Sequence, residues 1–580
     1  ALLSPVGVKF AQTFPAALNE CGLTKYGFIA NSDEDLPVGR IDYQKSEKHS
    51  IFGRYNAGNL NRTSTFDGKH PLSVNNYGVH DLDYQIALGD TYLVSPTIVN
   101  QFRVSAARTN IVKVDDTYAS WATFGANYTP IGGATMVTTV SGGLGFNVGS
   151  TGNVPGQSHN GPAWSISDDV SWVKGNHQLG FGYNIYKQGM NYWSGLNAVG
   201  SSTFNGVYTG LGNAANGLGM ADLLLGQASA FSQGTTYGFY NRQYYMASYL
   251  QDSWRATRHL TVNIGLRWEP YLSQYSKTGQ IHSVVPSLFT ANYHSPVFTN
   301  APAGVIFPGD PNYKCGNSFN CNDWHKFFPR LGITWDPKGD GKMVIRAAIG
   351  QFGDRSHMFY HNVMSFGPPF GDLISQGAVK IDNPWASYPG GNPIPGLISQ
   401  VGVGNASKTA PFVLNGAYVN YPNENFHPMF VNQWNVSIQR QVGTWLLTAN
   451  YLGNTTIHLV TSAPINPAKF LGLGACTLNV VNSTTGAITT QAQSTCSTTA
   501  NQNQRRLLFL QNPDQGKYYA GVGQALDSGT ASLRVANEDG TRHRRPRSKR
   551  AFRALTIIRR LLAPEHIDRC DRLQVVSVAL

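Results

Sequence analysis

Hydrophobic and polar positions alternate with a period of two in six separate stretches. The clearest runs from Tyr244 to Tyr271. In its second half Leu260, Val262, Ile264, Leu266 and Trp268 fall on one side, and Thr261, Asn263, Gly265, Arg267 and Glu269 on the other. Only a strand gives such a run one apolar and one polar face. Its first half ends near Trp254, and Arg255 to His259 can reverse the chain, so the stretch predicts a β-hairpin.

The same plan recurs. Arg40–Gln44 and Ile51–Tyr55 flank the polar turn Lys45 to Ser50. Val79 to Val94 and Ile98 to Thr109 flank Ser95-Pro96-Thr97, and Pro96 belongs in the turn because it cannot donate to a ladder. Trp164, Ile166, Val170 and Trp172 oppose Ser165, Ser167, Asp169 and Ser171, and return through Leu179, Phe181, Tyr183 and Ile185. Arg330 to Trp335 and Met343 to Gly350 bracket Asp336 to Lys342. Finally Trp434, Val436 and Ile438 oppose Gln433, Asn435, Ser437 and Gln439, and return through Trp445, Leu447, Ala449 and Tyr451. Connections inside a pair are short, and those between pairs run from about 20 to about 70 residues, unusually long for a compact domain.

Tryptophans mark the strand ends. Trp172, Trp254, Trp335 and Trp445 lie close to short turns, while Trp164, Trp268 and Trp434 lie roughly eight to ten residues further along. That is the length of a strand that crosses hydrocarbon between two aromatic girdles. The fold class predicted is all-β: an antiparallel transmembrane β-barrel, partial, with short periplasmic turns, long extracellular loops and a place in the cell outer membrane. A soluble sandwich or propeller, the competing reading, does not account for the loop asymmetry or for strands of ten or more residues.

Composition agrees. Charged residues make up 13%, about half the usual share, and aromatics 12%. No apolar run of 18 or more residues predicts a membrane helix, but barrel strands escape hydropathy by alternating. The net charge of +12 is concentrated at the end: from Arg534 onward 12 Lys+Arg face 5 Asp+Glu. The remaining diffuse charge gives no sign of a nucleic-acid partner. Three segments are expected: residues 1–36, an irregular lead-in after a missing plug; 37–530, the partial barrel; and 531–580, an aberrant basic tail. A change of reading frame in a GC-rich gene would produce such an Arg-rich tail. A native tail, with Phe552, Leu555, Ile557, Ile558 and Leu561 on one side of a short amphipathic helix, is the alternative.

Chemistry-bearing motifs are scarce. There is no H-E-x-x-H, G-x-S-x-G or Walker loop. Asp336-Pro-Lys-Gly-Asp-Gly341 resembles a calcium loop, but Lys338 stands at a ligand position and Ala347 where the bidentate Glu belongs, so it reads as a turn. No enzyme, metal or cofactor is read. Cys315 with Cys321, and Cys476 with Cys496, read as loop disulfides, because C-x5-C is poor zinc spacing. Arg40, Asp42, Arg54, Arg103, Arg267, Glu269 and Arg346 fall on the polar faces by parity. Lipid would penalise them by several kcal/mol, so they are expected in the lumen, either solvated or docking a plug.

The segments YLQDSWRATRHLTVNIGLRWEP, SDDVSWVKGNHQLGFGYN, FFPRLGITWDPKGDGKMVIRAAIGQFGDR and VNQWNVSIQRQVGTWLLTANYLG, with RIDYQKSEKHSIFGRY and LGDTYLVSPTIVNQFRVSAAR, resemble TonB-dependent outer-membrane receptors, most of all the Oar-like branch. The resemblance covers residues 1 to about 530. It implies a plugged barrel of 22 strands, of which about 12 are legible here, and an N-terminal carboxypeptidase-regulatory-like domain in many members. It also implies outer-membrane lipid and the TonB complex as partners, the latter reached through N-terminal parts. The implied ligand is a scarce nutrient such as a siderophore, oligosaccharide or peptide. A non-transporting adhesin or structural barrel is the alternative function.

Overall fold

The computed structural model describes the chain except residues 1, 20–22, 28–30, 115–116, 143–144, 150–152, 356–357, 366, 399–405, 421–425, 483–484, 529–551, 560–575 and 580. All six predicted hairpins form. They are Val38–Ser46 with His49–Arg62, Gly78–Ser95 with Ile98–Val114, and Asn153–Lys174 with His177–Leu196. Thr236–Arg255 with Leu260–Trp268, Phe327–Trp335 with Met343–Gly353, and Phe430–Val442 with Trp445–Ile457 complete the set. Each pairs antiparallel with the next in chain order, which makes one up-and-down wall. Among the described residues the wall does not close, because Val38–Ser46 is bonded only to His49–Arg62 along its length.

At its other edge Trp445–Ile457 pairs with Phe552–Arg559, which pairs with Val576–Ala579. The tail was expected to lack strands, and a helix was the alternative over its apolar stretch. Over these residues both give way to strands. The β-branched run Thr556-Ile557-Ile558 suits an extended backbone, and Trp445–Ile457 offers it an unpaired edge. The rest of the basic tail lies outside the described residues.

The long connections depart from expectation most. They fold into a second, eight-stranded sheet in the order Leu459–Pro464, Tyr519–Ser528, Gly416–Asn420, Leu373–Lys380, Gln227–Gly234, Ser201–Phe204, Val137–Val140, Phe146–Val148. Beneath it Phe10, Trp121, Phe204, Phe231 and Trp385 are almost wholly buried in one cluster. This loop layer joins the wall where strands outrun a membrane. Asn153–Lys174 and Thr236–Arg255 have 22 and 20 residues, about twice the crossing length. Their loop-ward halves and neighbours bury Met190, Tyr192, Tyr237 and Phe239 against Met358.

The lead-in segment is also more ordered than expected. Ser4 caps the helix Pro5–Ala11, accepting from the Gly7 amide at 3.0 Å. The Ser4 hydroxyl donates to Asp382 at 2.9 Å, and Phe10 packs edge-on against Trp121. A Cβ on Gly7 would strike the carbonyl of Leu223, so glycine permits this helix to rest on the helix Gly219–Leu224. That second helix contains most of Met220 to Leu225, the run read as a packed turn or short helix. Because Val38–Ser46 runs toward the short turns, the lead-in lies at the opposite, loop-layer end of the wall. Ser32–Asp35 pairs there with the end of His49–Arg62. No helix among the described residues is long and apolar enough to cross a membrane.

Candidate functional site: the polar face of the wall

Register, not only parity, sorts the wall into two faces. Arg40 lies opposite Arg54, and Asp42 opposite Phe52, whose next partner is Gly89. Gly89 lies opposite Arg103, and Arg103 opposite Ser167. Tyr249 lies opposite Arg267, Arg267 opposite Phe328, and Thr334 opposite Arg346. Followed strand by strand, these pairings bring all seven predicted charges to one face.

On that face the charges find partners two residues away on their own strands, the spacing of same-face neighbours. Arg40 donates to both Asp42 oxygens at 2.8 and 2.6 Å, and its guanidinium lies 4.5 Å from the Phe52 ring centre. Arg54 donates to Asn56 at 2.9 Å, and Arg103 to Gln101 at 3.3 Å. Two arginines directly opposite would repel, and here Arg40 and Arg54 each turn along their own strand instead. Arg267 donates to Glu269 at 2.6 Å and to the Tyr245 hydroxyl at 2.8 Å. Arg346 reaches across to Gln439 at 2.6 Å. These groups hold one another in fixed positions; they do not converge on one point.

Sequence reading missed Arg330, although its parity with Gly332 and Thr334 signals the same face. Its guanidinium sits 4.4 Å from the Phe352 ring centre. It also missed the Tyr249 hydroxyl donating to Asp169 at 2.7 Å. A cavity of about 780 Å³ opens on this face, lined by Gln251, Asn263, Arg330, Gln433, Asn435 and Asn454 among others. Nearer the loop layer a second cavity of about 380 Å³ lies among Asn184, Tyr186, Tyr245, Glu269, Asp354 and Arg355. Arg355 there stacks over Tyr186 at 4.3 Å. Among the described residues no three His, Cys, Asp or Glu are grouped to hold a metal.

The opposite face carries the seven tryptophans: Trp164, Trp172, Trp254, Trp268, Trp335, Trp434 and Trp445. Between them Leu250, Ile264, Leu266 and Ile349 stand exposed, Ile264 at 54%. Trp164 and Trp172 share one strand; Trp335 lies opposite Leu260, eight residues before Trp268; and Trp434 lies opposite Gly453, eight residues beyond Trp445. Eight residues of strand span about 26 Å, close to the apolar band of an outer-membrane barrel. Trp254 stacks parallel to His177, Lys174 lies over Trp172, and Trp268 donates to the Trp324 carbonyl at 2.9 Å.

The four paired cysteines are in the long connections. Cys315 and Cys321 are joined with Cα atoms 4.9 Å apart, and Cys476 and Cys496 with Cα atoms 5.3 Å apart. The second bridge ties the small hairpin Cys476–Val481 with Ile488–Gln493.

No curated protein matches the sequence. Solved structures similar to the chain include the outer-membrane transporter YddB from Escherichia coli, at 10% identity and TM-score 0.38, over 80% of this chain and 43% of that one. The siderophore receptor PirA from Acinetobacter baumannii matches at 8% identity and TM-score 0.37, over 92% and 50%. A mutant ferric enterobactin receptor from Pseudomonas aeruginosa matches at 8% identity and TM-score 0.41, over 95% and 53%. The chain thus spans about half the length of these structures. The profile described as "Outer membrane beta barrel domain" matches residues 1–534. With its lipid-type face, its polar face and its meander of long strands, the chain belongs to the outer-membrane β-barrel domain family and has its place in the outer membrane.

Proposed function

We propose that the chain forms part of the barrel of a TonB-dependent outer-membrane receptor of the Oar-like branch, which imports a scarce nutrient. One observation carries this reading: seven charged side chains lie on a single polar face, opposite seven tryptophans spaced as a membrane girdle. A wall that only anchored a surface structure has no need of fixed charges along its inside. A receptor barrel does, because those charges border an aqueous passage and seat a plug. In this reading the loop layer and its two disulfides face outward, and energy arrives from the TonB complex through parts beyond those described.

The test is uptake by cells that carry the whole gene as their only copy. Accumulation of the nutrient should stop when TonB is deleted or the proton gradient is collapsed. Accumulation that persists under both treatments would sink the proposal.

A second reading, a non-transporting adhesin, is favoured by the exposed Phe470, Leu471 and Leu473 beside the Cys476–Cys496 hairpin of the loop layer. Surface attachment that is unchanged by TonB deletion, with no uptake, would favour it.

A further inference from the structure

The lipid-side face of the wall is not uniform. From Leu260–Trp268 to Trp445–Ile457 its positions between the tryptophans carry aliphatic side chains, among them Ile264, Leu331, Ile349 and Val436. The preceding strands differ. On Asn153–Lys174 the outward positions run Trp164, Ile166, Asp168, Val170, Trp172. Asp168 therefore stands on the lipid side, four residues from each tryptophan, at the middle of the span between the girdles. Its register partners are Phe102 and Tyr183, and Tyr183 in turn lies opposite Ser248. Asn100, on the same face, donates to Asp168 at 2.6 Å. Asp169, the next residue, points to the other face, where the Tyr249 hydroxyl holds it.

Two other aspartates face outward, but under easier conditions. Asp90 and Asp252 lie nearer the short turns, within reach of interfacial water, and are paired with His49 at 3.3 Å and His177 at 2.6 Å. Hydrocarbon penalises a carboxylate at mid-depth, and one amide fills only one of its acceptor sites. Such a group is kept where protein rather than lipid covers it. The two-fold axis of a membrane dimer runs along the membrane normal, so a second copy brings equal depths together. At this depth the patch complements itself: Asp168 accepts, and the hydroxyls of Tyr183 and Ser248, both exposed, donate. A wholly apolar partner would leave the carboxylate unanswered, and a cationic one would have to carry its own charge into hydrocarbon. We infer that Asn100, Asp168, Tyr183 and Ser248 form the centre of an interface with a second copy of this chain inside the outer membrane. The interface does not depend on the uptake reading.

The experiment is photocrosslinking of the full-length protein in outer membranes. Phe102→benzoylphenylalanine, opposite Asp168, should give a species of twice the mass with peptides of this chain at both ends. Leu266→benzoylphenylalanine, in the aliphatic sector, should give monomer. Asp168→Leu should lower the dimer fraction about threefold or more, the value of one lost hydrogen bond. It should leave heat-modifiable insertion intact, because leucine suits lipid. Tyr183→Phe should lower the dimer fraction as well, and supplies the test if Asp168→Leu does not insert. Monomer alone from Phe102, an equal dimer yield from Leu266, or crosslinks only to a different protein would overturn the interface. So would an undiminished dimer in Tyr183→Phe together with an inserted Asp168→Leu. The dimer should form equally in cells lacking TonB, so its failure and the failure of uptake are read separately.

Discussion

The wall and the loop layer are both antiparallel-rich sheets in one chain, yet they hold together by opposite arrangements of the same residue types. In the wall, most large aliphatic side chains point outward, as Leu250 at 60% and Ile349 at 56% exposure illustrate. In the loop layer Phe231, Phe204 and Trp385 are sealed inside. Each solution suits its solvent. Lipid makes an exposed aliphatic face costless and a broken backbone ladder intolerable, so the wall spends its regularity on hydrogen bonds. Water demands that apolar area be hidden, so the loop layer tolerates short strands and irregular order in return for a packed core.

The contrast is sharpest for core truncation. Phe231→Ala should destabilise the loop layer by about 3–5 kcal/mol. The wall should keep its heat-modifiable mobility in electrophoresis, while loop-layer amides exchange faster. Next is a charge placed by parity. Ile264→Arg should cost about 2–4 kcal/mol near the bilayer middle, whereas Asn263→Arg, one residue away on the other face, should insert normally. Insertion efficiencies that do not differ between the two would break the assignment of faces.

A smaller effect is expected from Cys476→Ser with Cys496→Ser. The bridge closes a sequence separation of 20, and its loss should lower loop-layer stability by about 2–3 kcal/mol. Peptide mass mapping without reductant should recover Cys476 linked to Cys496 and Cys315 linked to Cys321.

The last comparison is pH dependence, taken in the loop layer. Burial lowers His282 to about 4 and His361 to about 3, and raises Asp372 to about 7. A depressed histidine contributes stability above its unfolded range that is lost as pH falls through the folded value. A raised carboxyl contributes stability below the ordinary carboxylate range that is lost as pH climbs to about 7. Two histidines oppose one aspartate, so loop-layer stability should rise from pH 4 to about 6.5. Above that, Asp372 alone should lower it slightly toward pH 7. A melting profile of the loop layer that falls across pH 4 to 6.5 would contradict this.

The wall was legible because its information is local. Alternation such as Leu260 to Glu269 shows strand and faces together, and a two-residue turn such as Gly175-Asn176 leaves little freedom of register. The loop layer was not legible, for a physical reason. Its strands are short, as in Ser201–Phe204, and their order ignores chain order. Ser201–Phe204 and Val137–Val140 run parallel, as do Gly416–Asn420 and Tyr519–Ser528. Such pairings depend on distant partners that no window of sequence contains. The site divides along the same line. The charged residues could be assigned to a face from each strand alone. The alignment of Gln251 and Asn454 in one row across the wall required five successive registers.

The hydrogen bond from Ser4 to Asp382 joins residues 378 positions apart. Closing so long a loop before other contacts exist is entropically disfavoured, whereas each hairpin of the wall needs only its neighbour. The wall therefore assembles first, strand upon strand, and the helix Pro5–Ala11 waits for its berth until Leu373–Lys380 and Asp382 have arrived. During the interval the apolar side of that helix, Val6 and Phe10 foremost, has no partner of its own and is what a periplasmic chaperone would meet.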